Sequence, residues 1–154
     1  MVGKDGIKMK GHLVIWDWDT KKILVDTHNI IVCGGCGMMA SYLSGGSPTA
    51  MTTVAVGSGS TGALTANTAL EAEIGGVAGD RHASAISAPS TTSVLFSSSY
   101  GPGHCTGNWY EAGIFNATGA AGLMLARVTF GLLTKAAGDT FIIEYTISFA
   151  DDGV

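Results

Sequence analysis

The chain has 154 residues, of which 46% are hydrophobic and only 13% charged, with a formal net charge of −4. That length is enough to bury a real core in one domain, while the lack of clustered Lys and Arg excludes a nucleic-acid surface, which must neutralise phosphates. No apolar run reaches the roughly 18–20 residues of a membrane helix, and the N-terminus lacks the apolar stretch of a secretory signal, so synthesis and folding in a cytoplasm are expected, with no membrane partner.

Glycine is abundant, at 23 residues, and Ser, Thr and Ala fill much of the rest, a mixture that suits short strands joined by tight turns. Residues 7–18 alternate, with Ile7, Met9, Leu13 and Ile15 on one face and Lys8, Lys10 and His12 on the other, the period of a half-buried strand. Asp19-Thr20-Lys21-Lys22 has the character of a hairpin turn, and Ile23-Leu24-Val25 reads as the returning strand. His28–Val32 is a further short strand. The glycine-broken Cys33-Gly34-Gly35-Cys36-Gly37 follows, and then Met38–Leu43, enough for one or two helical turns held by packing.

Thr52–Val56 is a strand that runs into the turn-rich Gly57-Ser58-Gly59-Ser60-Thr61-Gly62. Residues 64–74 show no clear period and are expected to form an ordered loop. Arg81–Ser87 and Thr91–Ser98 lean to β around Pro89, and Gly101-Pro102-Gly103 closes the second with a turn. Tyr110–Phe115, Leu123–Phe130 and Thr140–Phe149 supply three more strands, with Lys135–Asp139 as the turn before the last. In that last strand Phe141, Ile143, Tyr145, Ile147 and Phe149 share one face.

About eight short strands with almost no helical period predict an all-β fold: a single antiparallel sandwich or jelly-roll-like domain over residues 1–154, with one or two short helices at most and a solvated tail at 150–154.

Two tracts carry no Asp, Glu, Lys or Arg: 44 residues from Thr27 to Leu70, and 29 from His82 to Tyr110. Soluble monomers spread charge over their surfaces, so such tracts imply surface covered by something else, most simply by more copies of the chain.

Gly57 to Gly62 satisfies G-x-G-x-x-G after a strand, but no strong helix and no parallel βαβ unit follow it, so no cofactor is expected. Cys33-Gly34-Gly35-Cys36 is a C-x-x-C that could serve redox chemistry, or bind zinc together with Cys105 and either His104 or His28. With three cysteines and no second C-x-x-C, the default is small buried or interface thiols. The histidines, His12, His28, His82 and His104, are scattered singly, and no G-x-S-x-G elbow or carboxylate pair marks a hydrolase. No catalytic residue is assigned, and the chain is read as a non-enzyme.

Trp16, Trp18, Trp109 and Tyr110 are candidate core or interface anchors, with sugar stacking as the alternative. Glu111 and Arg127 are lone charges in apolar strands and are expected to pair, within the sheet or across a subunit boundary. The expected interface set is therefore Trp16, Trp18, Cys33, Cys36, Trp109, Tyr110, Glu111 and Arg127.

The order of several pieces resembles small structural proteins of tailed-bacteriophage virions, the capsid decoration and tail-fibre-like families. These pieces are His28-Asn29-Ile30-Ile31-Val32, Val54 to Thr61 leading to Thr68-Ala69-Leu70-Glu71, Glu111-Ala112-Gly113-Ile114-Phe115-Asn116, Leu125-Ala126-Arg127-Val128-Thr129-Phe130, and Lys135 to Asp139. They span roughly residues 9–149, and the Cys33-Gly34-Gly35-Cys36 insertion departs from the plain glycine turn of such proteins. The resemblance implies a β-rich, non-enzymatic virion component that forms a homo-oligomer, a trimer, and binds major capsid or tail proteins.

Overall fold

A computed structural model of the chain describes residues 7–75, 80–119 and 122–151. The elements are β1 (Ile7–Asp17), β2 (Ile23–Ile31), α1 (Cys33–Leu43), β3 (Thr53–Gly57), β4 (His82–Ala83), β5 (Ala85–Ser90), β6 (Ser93–Tyr100), β7 (Gly107–Phe115), β8 (Met124–Lys135) and β9 (Phe141–Asp151). Every strand pairing is antiparallel, and the strand order is β4-β3-β7-β8-β2-β1-β9-β6-β5. The fold is the all-β antiparallel architecture expected, with one helix among the described residues.

Two strands turn the corners that bend this sheet over on itself. β2 pairs with β1 from Ile23 to Asn29, then passes to β8 through Ile30↔Arg127 and Ile31↔Ala126. At the other end, β4 pairs with β3 and, after one intervening residue, β5 pairs with β6. That residue, Ser84, gives its N–H to Thr52 on the β3 side (2.9 Å) and bonds through its hydroxyl to Ser98 of β6 (2.8 Å). The sheet is thereby almost closed, its two halves stacked as layers whose corners are made by strands that change partners.

Between the layers lies one large apolar core. Leu13 and Ile15 of β1, Phe141, Ile143, Tyr145 and Ile147 of β9, Phe96 and Tyr100 of β6, Val54 and Val56 of β3, and Trp109, Ala112 and Ile114 of β7 all belong to it. Alternation puts them on the inner face, and each large side chain so buried contributes about 1.5–3 kcal/mol. Trp109 donates its indole N–H to the Cys105 carbonyl (2.7 Å), and Tyr100 its hydroxyl to the Val54 carbonyl (2.7 Å).

β3 is buried at all five positions, as are Glu111–Phe115 and Met124–Val128. Their outer face is roofed by the segment 58–74, whose Leu70 packs with Val32, Ala55, Phe115 and Met124 in a second, smaller cluster.

Three expectations are corrected. The strands at 23–25 and 28–32 are one, because the polar Asp26, Thr27 and His28 continue the alternation rather than break it. The helix starts at Cys33, so Gly34, Gly35 and Gly37 are helical rather than a turn. The last strand runs to Asp151, into the expected tail, and 152–154 lie outside the described residues.

Candidate functional site

Arg127 and Glu111 are neighbours on the outer face of β8 and β7, and the expected pair is present: Arg127 Nε donates to Glu111 Oε2 at 2.8 Å, with the two side chains 2% and 0% exposed. A buried carboxylate needs more than one partner, and Glu111 has them. Its oxygens also accept the N–H groups of Gly59 (3.2 Å), Glu71 (3.1 Å) and Ala72 (2.8 Å).

Arg127 uses its remaining donors on the same segment, giving Nη1 to Asn67 Oδ1 (2.9 Å) and Nη2 to the Thr61 carbonyl (3.0 Å). Glu71 then binds the Thr61 N–H (2.8 Å) and hydroxyl (2.7 Å). Those two bonds, with a smaller effect from Arg127, lower the pKa of the Glu71 carboxyl below its usual value.

This network explains Gly57 and Gly59 of the glycine motif. A Cβ on Gly57 would lie 2.4 Å from Glu111 Oε1 and 2.8 Å from the Ala72 carbonyl; one on Gly59 would lie 2.4 Å from the Glu71 Cβ. Gly57 and Gly59 let the backbone close down on a carboxylate of its own chain, while a Cβ on Gly62 would meet nothing. The anion that the motif cradles is internal.

Arg81 makes a second clasp. It lies just before β4 rather than inside a strand, grips Glu73 through Nε (2.8 Å) and Nη2 (3.0 Å), gives Nη1 to the carbonyls of Ala117 and Gly119, and stacks over Phe115 at 3.8 Å. Nothing in the sequence pattern marked Asn67, Glu71, Glu73 or Arg81, because the first three lie in a segment without period and Arg81 finds its partners outside the strands.

Burial corrects part of the expected interface: Glu111 and Arg127 in the clasp and Trp109 in the core are buried within their own chain. Trp16 and Tyr110 are half-buried, while Trp18, Cys33 and Cys36 are exposed.

The proposed zinc set is not assembled either. Cys33 and Cys36 sit on α1, whereas Cys105 is buried with its thiol on the carbonyls of Ile74 (3.8 Å) and Asp80 (3.7 Å), its pKa pushed up by burial to about 12. Among the described residues His104 groups instead with Asp80 and His82. Nor are the histidines isolated. His12 faces His28 across the β1–β2 ladder, with rings 5.0 Å apart, and bonds to Asp26 at 2.6 Å.

The feature that sequence reasoning missed is an apolar groove of about 390 Å³. Met38, Met39, Tyr42, Ala50 and Met51 form one wall and Ile86, Val94 and Phe96 the other, with Met9, Leu125, Ile147 and Phe149 completing it. None of these residues is charged. The first wall comes from the tract Thr27–Leu70 and the second from His82–Tyr110, so the fold brings the two ion-free tracts together on one concavity. Beside it runs β5, exposed at all six positions, uncharged and, among the described residues, paired only with β6. Edge strands are usually guarded by charge; here Pro89 is the one guarding residue.

The chain matches no protein-family profile, no curated protein and no solved structure. The resemblance to virion proteins therefore rests on the quoted residues alone.

Proposed function

We propose that this chain is a non-enzymatic assembly subunit of a tailed-bacteriophage virion, a capsid decoration or cement protein ahead of a tail, baseplate or fibre-attachment subunit. It associates with copies of itself, as a trimer, across the methionine-lined groove and the neighbouring β5 edge. The observation that supports this reading is the convergence of both uncharged tracts on one apolar groove bordered by a strand that carries no charge. Such a surface has no ions to desolvate, the small Ala and Ser side chains of β5 allow close backbone approach, and an added strand would satisfy its open edge. Interfaces of obligate assemblies commonly bury more than about 2,000 Å² in total.

Sugar binding through Trp16 and Trp18 is the weaker alternative, since Lys21 Nζ already lies 3.5 Å over the Trp18 ring, where a sugar would stack.

Light scattering and native mass spectrometry test the proposal. The wild-type chain is expected at three times the monomer mass, and Ile86→Lys, a change at an exposed position, should shift it to monomer with Tm little altered. A wild-type protein that stays monomeric at high concentration, and leaves phage particles undecorated in micrographs, would overturn it.

A further inference from the structure

We propose that Asp80, His82 and His104 form a binding site for a divalent late transition metal, Zn²⁺ first among them. One ligand atom from each lies within 4.8 Å of the other two, and His104 Nδ1 is already 3.5 Å from Asp80 Oδ1. Donors around a tetrahedral zinc, bonded at about 2.0–2.2 Å, stand about 3.3–3.5 Å apart, so small rotations of exposed or half-buried side chains complete the set. Two imidazoles and one carboxylate are ligands that zinc and its neighbours in the series prefer over calcium or magnesium. His104 is exposed and Asp80 and His82 are half-buried, which leaves water access for the remaining positions.

The two imidazoles come from places that the fold holds firmly. His82 opens β4 and its ring stacks on Tyr100, centroids 4.3 Å apart, while Tyr100 is anchored to the Val54 carbonyl. His104 stands edge-on to His82 at 4.9 Å. It is presented by the β6–β7 turn, where Gly103 gives its N–H to the Ala137 carbonyl (2.8 Å). The next residue, Cys105, holds a positive φ of 47° and is fixed by the indole of Trp109 on its carbonyl. A β- or loop-borne non-glycine residue in that conformation persists only when its surroundings impose it.

Lys135 also acts electrostatically on His82 and opposes a cation, but its ammonium is fixed on the Gly101 carbonyl at 2.8 Å. A metal here would staple the seam between β4, the segment that precedes it and the β6–β7 turn, stabilising the folded chain by mass action.

The test uses the tag-free full chain freed of metal by chelation. One equivalent of Zn²⁺ is expected to bind by calorimetry and to raise Tm. Co²⁺ should give d–d absorption without a thiolate charge-transfer band, which separates this site from Cys33, Cys36 and Cys105. His104→Ala, at an exposed position that packs no core, should weaken binding at least tenfold while the metal-free Tm stays near wild type; Asp80→Asn should weaken it too. Absence of saturable binding, a thiolate band, or undiminished affinity in His104→Ala would each overturn the proposal.

Discussion

At the scale of single residues, the sequence signalled its own internal ion pair. Glu111 and Arg127 stand out because a charge inside an apolar strand is costly unless something answers it, and each proved to be the answer to the other. Removing one partner is then worse than never having had either. Arg127→Ala should lower the unfolding free energy by about 3–5 kcal/mol, because Glu111 stays buried without its cation; guanidinium titration would check it. What the sequence did not disclose was how the rest of the clasp is filled. Asn67 and Glu71 sit in a segment with no period, and Glu111 itself is answered mostly by backbone N–H groups, which every residue but proline carries alike. The histidines too are distant in sequence and meet as two pairs, His12 with His28 through strand register and His82 with His104 through the return of the chain at the β6–β7 turn.

Among the elements, β1 and β9 were legible almost to their ends because alternation of large apolar and polar side chains specifies a strand with one wet face. α1 was not. Its N-cap, Val32, offers no side-chain acceptor, and three of its first five residues are glycine, each costing about 1 kcal/mol relative to alanine in a helix interior. The structure supplies the reason for tolerating them. A Cβ on Gly35 would lie 2.6 Å from the Leu125 carbonyl oxygen and 3.1 Å from its Cα, so only glycine lets the helix rest directly on the β8 backbone. Gly35→Ala, which would help an isolated helix, should therefore destabilise this protein, by about 1–3 kcal/mol, and thermal unfolding monitored by circular dichroism would show the sign. The break between β4 and β5 was equally hidden, since one serine suffices to hand a strand from one layer to the other.

For the whole molecule, the fold class followed from composition and period, whereas closure of the sheet did not, because it depends on which strands exchange partners. The two seams are unequal to the rest. β1 and β9 share eleven registered pairs, but β2 and β8 share two, and beyond them Leu24–Thr27 and Phe130–Leu132 diverge around an open cleft. Amide exchange should accordingly be fast along Leu24–Thr27 and Phe130–Leu132 on their facing edges and slow in β1 and β9; uniform protection across all four strands would contradict this account of the seam.

Four of the six methionines, Met9, Met38, Met39 and Met51, line the groove. Thioethers conform to whatever seats against them, yet each takes up oxygen readily and becomes a polar sulfoxide. A surface built in this way couples adhesion to chemical history: peroxide reaching an unassembled subunit would wet the concavity, whereas a seated neighbour would shield it.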